Sequence, residues 1–126
     1  MSVALDASAV LALLFDEPGA ENVRPRLAGA AMSAVNLSES YAKMLEAGFE
    51  PEDAHAALTG LTLKITEFDE EMGYRAGALR LPTRNLGLSF ADRACLALAL
   101  REGVPALTAD RKWAELDIGV EIEVIR

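Results

Sequence analysis

The chain has a single cysteine, Cys95, so no internal disulfide can form. Cys95 lies in an apolar helical stretch and reads as a core residue, which fits a reducing cytoplasm as the expected compartment. Histidine is equally scarce: His55 is the only one, far in sequence from every cluster of acids. A nuclease working through paired histidines is therefore excluded. Long hydrophobic runs are missing too. The longest stretch without a charge, Leu27 to Ser38, is twelve residues, too short to span a bilayer. The N-terminus has no basic region and Asp6 interrupts its apolar run, so neither a signal peptide nor a membrane partner is expected. No G-x-S-x-G elbow and no phosphate-binding glycine loop occurs. Asp6-Ala7-Ser8 lacks the second aspartate of a phosphoaspartyl transferase.

Positive charge is also short. Twelve Lys and Arg stand against twenty Asp and Glu, a net charge of −8. This argues against a general nucleic-acid coat protein, which presents a basic face. It leaves open an enzyme that meets nucleic acid through bound metal, because the ion itself supplies local positive charge.

What is present is an ordered alternation. The length of 126 residues fits one domain with a real core, and 52% of the residues are hydrophobic. Repeats, low-complexity tracts and long linkers are lacking. Short apolar runs alternate with helical stretches, the pattern of an α/β fold with a parallel sheet. Strands are expected at Ser2 to Leu5, Ala31 to Val35, Leu63 to Phe68, Pro105 to Thr108 and Val120 to Ile125. In the last, Val120, Ile122 and Val124 alternate with Glu121 and Glu123, as on an edge strand with one solvated face. Helices are expected over Ala7 to Phe15, Glu21 to Leu27, from Asn36 as cap to Gly48, from Pro51, from Asp69 to about Leu81, and from Ser89 or Phe90 to Gly103.

Four acids recur at related places in this alternation. Asp6 follows the first strand. Glu39 follows the second and opens a helix, Asp92 opens the Ala/Leu-rich helix, and Asp110 follows the fourth strand. In an open parallel sheet the strand-to-helix junctions share one edge, where ligands bind. Each acid also has a plain structural role as a helix cap, with Asn36-x-x-Glu39 and Ser89-x-x-Asp92 both resembling capping boxes. Yet Ser, Thr or Asn would cap as well, and two carboxylates ~4 Å apart repel by about 4 kcal/mol at an effective dielectric near ~20. A bridging cation turns that cost into affinity, and an oxygen-only ligand set suits Mg²⁺ or Mn²⁺.

The segments Leu5-Asp6-Ala7-Ser8-Ala9, Asn36-Leu37-Ser38-Glu39, Leu88 to Ala99 around Asp92-Arg93, and Leu107-Thr108-Ala109-Asp110-Arg111-Lys112-Trp113 resemble the PIN-domain ribonucleases. Among these they are most similar to the VapC-type toxins of prokaryotic toxin–antitoxin pairs. The likeness covers essentially the whole chain in order and spacing. It implies a single PIN domain over 1–126, a three-layer α/β fold with a five-stranded parallel sheet flanked by helices. It further implies one or two Mg²⁺ or Mn²⁺ ions at the sheet edge, endoribonuclease activity, a homodimer and a VapB-like antitoxin. Position by position, Asp6, Glu39, Asp92 and Asp110 fall on the acidic quartet. Ser8 and Thr108 fall on hydroxyl positions that orient it, with Asn36 beside them.

Four cations near the acids are candidate RNA contacts: Lys43, Arg93, Arg111 and Lys112. Lys43 also stands i,i+4 to Glu39, the spacing of an ordinary helix salt bridge. Trp113 either stacks a base or packs in the core or in a dimer interface, and packing of one of these two kinds is the expectation. Two rival functions share the same residues. One is a non-catalytic module that keeps the fold and acts through its partner; the other is a nuclease directed at DNA or at a particular nucleic-acid structure. Inhibition is expected through an amphipathic antitoxin segment in an apolar groove of the N-terminal helices, placing an Arg or Lys among the four acids.

Overall fold

The computed structural model describes residues 2–126. Strands are short: β1 (Ala4–Leu5), β2 (Ala31–Ser33), β3 (Lys64–Thr66), β4 (Ala106–Thr108) and β5 (Ile122–Val124). The helices are α1 (Ala7–Leu14), α2 (Ala20–Val23), α3 (Ala34–Glu46), α4 (Pro51–Gly60), α5 (Glu70–Ala78), α6 (Arg80–Thr83) and α7 (Phe90–Glu102). All strand pairs are parallel, in the order β3-β2-β1-β4-β5. The expected five-stranded parallel sheet is therefore present, with β5 at one edge as its alternation required. The chain winds outward from β1 in one direction through β2 and β3, then returns to add β4 and β5 on the other side. The junction of β1 and β4 is thus the topological switch point, where an α/β sheet opens a crevice at its carboxyl edge.

The two faces of the sheet are built differently. Val3, Leu5, Met32 and Leu107 point to one side, into a core shared with α1, α3 and α4. Their neighbours Ala4, Ala31 and Ala106 point to the other, into a core with α5, α7 and Trp113. Ala4 pairs in register with both Ala31 and Ala106, so a row of alanines crosses the middle of the sheet. On this low surface α7 can approach closely. Its own residues Ala94 to Ala99 are all buried, as expected of a helix enclosed on every side.

Local signals fix the helix ends. Ser89 caps α7 in a complete capping box with Asp92, and Gly103 closes it in the left-handed conformation at φ 67°. Asp69 accepts from the Met72 N–H and starts α5. That helix ends at Ala78, before the expected Leu81, and after Leu79 the backbone resumes as the one-turn α6, which holds Pro82. At Gly19, φ is 99° and an added Cβ would lie 2.8 Å from Ile125 Cγ1, so only glycine lets the C-terminal strand close over α2.

One boundary differs from the sequence expectation. Ser33, not Asn36, caps α3, its hydroxyl accepting from the Val35 N–H. The strand ends two residues earlier than expected, so Asn36 lies inside the first turn and Glu39 in the second. The Asn36-x-x-Glu39 capping box does not form.

Candidate active site at the carboxyl edge of the sheet

Asp6 is the most buried member of the acidic set and accepts the most hydrogen bonds. It is buried at 5% exposure, directly after β1, and caps α1. Its Oδ1 accepts from Ser8 Oγ at 2.7 Å and from the Ala9 N–H at 2.8 Å, while its Oδ2 accepts from Thr108 Oγ1 at 2.5 Å. Ser8 Oγ in turn accepts from the Ala109 N–H at 2.8 Å, and Thr108 Oγ1 from the Asp110 N–H at 3.0 Å. Each hydroxyl has one proton, and both are given to Asp6. These bonds stitch β1–α1 to the end of β4 across the switch point and tie Asp110 to the same network.

Burial pushes the Asp6 carboxyl from 3.8 up to about 6, the three hydrogen bonds pull against that rise, and the nearby charge of Asp92 adds to it. No ion pair relieves Asp6, Asp92 or Asp110 among the described residues. The thiol of Cys95, enclosed in α7, reports the same field. Burial is the first cause of its strongly raised pKa, and Asp6, Asp92 and Glu39 add to it. Asp6, Glu39 and Asp92 therefore bear electrostatically on one point.

Their oxygens are not gathered into a ligand shell. Among the described residues no three His, Cys, Asp or Glu side chains stand so as to hold one ion. Three local contacts account for part of this. Asp92 Oδ2 accepts from the Ser89 N–H at 3.0 Å, closing the capping box. Glu39 leans to Lys43 at 3.8 Å across one helical turn. Asp110 Oδ1 accepts from the Lys112 N–H at 3.0 Å. The donor chemistry nonetheless suits a hard divalent cation: oxygen only, strongly acidic, and short of cations. An orphaned acceptor lies alongside. Asn36 is 1% exposed, and its Nδ2 donates to the Ala91 carbonyl at 3.0 Å, joining α3 to the first turn of α7. Its Oδ1 is buried without a donor. Buried polar atoms in that state are rare and point to a missing water or ion.

The four candidate RNA contacts are placed unequally. Lys43 is held by Glu39, and Arg93 donates through NH1 to the Ala76 carbonyl at 3.0 Å, turned toward α5. Arg111 donates to the carbonyl of Arg126 at 3.0 Å. Arg111 and Lys112 are both exposed at the rim beside Asp110. Trp113 is fully buried in the core, so base stacking by its indole is excluded in this arrangement. His55 lies away from the acids, in the lining of an apolar groove between α3, α4 and β3 of about 440 Å³. That groove lies farther along the chain than the first two helices. Phe90, half-exposed at the start of α7, carries no distinguishing signal in the sequence, because an aromatic at a helix start reads as packing.

Comparisons with known proteins agree with this architecture. The solved VapBC2 complex of Rickettsia felis, bound to a promoter DNA fragment, has a chain that superposes with a TM-score of 0.76 at 18% identity, covering 100% of both chains. A DNA-bound VapBC from Salmonella typhimurium gives 0.75 at 18% identity, over 100% of this chain and 99% of the other. The VapC20 toxin of Mycobacterium tuberculosis, which cleaves the sarcin–ricin loop, gives 0.71 at 15% identity, over 94% and 98%. At these identities the likeness is one of fold. No curated protein matches the chain in sequence. The family model for the PIN domain matches residues 3–119, nearly the whole chain, and the protein belongs to the PIN-domain family.

Proposed function

We propose that this protein is a metal-dependent endoribonuclease acting as the toxin of a toxin–antitoxin pair. The observation that carries the reading is Asp6. A carboxylate is buried at the switch point, fixed by three hydrogen bonds, raised toward a pKa of about 6, and given no cation by its own fold. Folding that charge without a partner is unfavourable, and a divalent ion removes the penalty. The all-oxygen character of the neighbouring acids and the PIN membership support the same assignment.

Asp6, Glu39, Asp92 and Asp110 would hold Mg²⁺ or Mn²⁺, one ion or two. When bound, such an ion supplies an activated water and charge for the leaving oxygen of a phosphodiester. The chain's own work is positional. Ser8 and Thr108 keep Asp6 ionised and still. Asn36 fixes the first turn of α7 to α3, and so sets the distance between Glu39 and Asp92. To hold the ion, Glu39 and Asp92 would have to leave Lys43 and the Ser89 N–H, their contacts here.

Partners follow from the same reading. Tyr74 and Leu81 are 75% and 71% exposed on the α5–α6 side, apolar surface that a homodimer would cover. The groove between α3, α4 and β3 suits an amphipathic antitoxin segment, and Ser38 in its lining adjoins Glu39. From there a cationic side chain can reach the acids and compete with metal. The deciding experiment is cleavage mapping on total RNA with wild type and Asp6→Asn, with and without Mg²⁺. Cleavage that needs both Asp6 and the ion upholds the reading. Metal-independent cleavage, or cleavage of DNA alone, overturns it.

A further inference from the structure

We propose that Phe90 is a stacking platform for an unpaired base of the substrate strand, and that single-stranded nucleic acid is held along the segment from Arg80 to Arg93. This inference rests on the nuclease reading. Phe90 is the first residue of α7, two before Asp92, and is 51% exposed. Its ring is nevertheless braced. Phe68 meets it edge to face, with centroids 5.3 Å apart and planes at 89°. The Arg93 guanidinium lies 5.9 Å from the ring centroid, and the same side chain is pinned to the Ala76 carbonyl. An aromatic ring held in place by an edge contact and a cation, and still half open to water, is pre-organised for another flat group.

The surrounding charge points the same way. Six cations form no ion pair among the described residues: Arg24, Arg80, Arg84, Arg93, Arg111 and Lys112. Three of them fall between residues 80 and 93, in the stretch that also carries Phe90 and Asp92. In a chain of net charge −8, this segment brings together in sequence two exposed cations without a carboxylate partner, Arg80 and Arg84, an open aromatic braced by Arg93, and a candidate site carboxylate. Tracking a backbone with cations while stacking its bases on aromatics is how single strands are bound without reading sequence.

Helix geometry sets the position of the base. Two residues along a helix turn by about 200° and rise about 3 Å, so Phe90 and Asp92 leave α7 on nearly opposite sides. Both lie in the first turn of α7, so a strand crossing that end of the helix would place on Phe90 a base next to the nucleotide whose phosphate lies at Asp92. A duplex cannot supply that base without unstacking, so the platform selects unpaired substrate.

The test compares wild type with Phe90→Ala, Phe90→Leu and Phe90→Trp, all with Mg²⁺, on one unstructured RNA oligonucleotide and its duplex. Phe90→Ala and Phe90→Leu are expected to raise KM about tenfold with kcat within about twofold, and Phe90→Trp to restore KM. Fluorescence of Phe90→Trp in an Asp6→Asn background should be quenched by the single strand and not by the duplex, against a Trp113 signal that is buried and constant. Wild-type KM in Phe90→Leu, or unquenched Phe90→Trp at saturating oligonucleotide, overturns the proposal. So does a loss of self-association in Phe90→Ala with RNA affinity unchanged, which would assign the ring to a protein interface. Failure of the wild type itself to bind or cleave the oligonucleotide fells the nuclease reading first and this inference with it.

Discussion

At the scale of single residues, Asp6 and Cys95 show how burial and charge act together. The folded pKa of Asp6 is about 6 against an ordinary 3.8, so the folded state holds this proton more tightly than the unfolded one. Its contribution is therefore neutral below 3.8, turns unfavourable as pH rises to about 6, and is constant above that. The full penalty is about 3 kcal/mol in the absence of metal. Urea unfolding in a chelator, from pH 4 to pH 8, should show wild type losing stability relative to Asp6→Asn across that window. Parallel curves for the two proteins would show that Asp6 is not carrying the charge penalty. Cys95 lies in the same field, behind a larger effect of burial. With its thiol buried and its pKa raised by enclosure and three acids, it should resist a thiol reagent at pH 8 until the protein unfolds. Modification at the rate of a free thiol would mean that α7 opens readily.

The element that decides the geometry of the site is α7, and what positions it is the alanine row beneath. Ala4, Ala31 and Ala106 let the helix lie close enough to bring Asp92 toward Asp6. Replacing Ala106 with Leu adds volume where none is free, at a cost of about 1–3 kcal/mol. It should also lift α7 and lower cleavage more than the stability loss accounts for, measured at a temperature where the variant is fully folded. A variant that is destabilised yet fully active would separate the helix seat from the site. Much of this element was legible beforehand: Ser89-x-x-Asp92 marked its start, Gly103 its end, and the apolar content its burial. The alanine row was not, because alanine is at home on either face of either element and leaves no periodic signature. The start of α3 was misread for a related reason. Ser33 and Asn36 are both good caps, and the choice between them depends on where β2 stops, which its pairing with β1 and β3 decides. The order of strands beyond the β5 edge was likewise hidden, since sequence alternation says which face is wet but not which strand is the neighbour. The acids themselves were legible because a carboxylate after a buried strand is costly, whereas their present side-chain directions, toward Ser89, Lys43 and Lys112, follow from local bonds.

For the whole molecule the governing fact is uneven charge. A net charge of −8 repels a polyanion at long range, and the proposed homodimer would double it. Association then depends on a few local cations, and this has a measurable consequence. Each phosphate neutralised on a single strand contributes about −0.7 to the slope of log K against log salt. If Arg80, Arg84 and Arg93 make the contacts, the slope should be roughly −2, modest for a nucleic-acid-binding protein. Binding of an unstructured RNA oligonucleotide to Asp6→Asn, measured over a series of salt concentrations at fixed Mg²⁺, gives this slope directly. Removing Arg80 and Arg84 together should flatten it by roughly 1.4, one phosphate for each cation. The fold should tolerate the change, because both side chains are exposed and neither forms an ion pair. A double variant with an undiminished slope would move the strand to Arg111 and Lys112, exposed beside Asp110. The same experiment on Arg111→Ala with Lys112→Ala would then carry the loss.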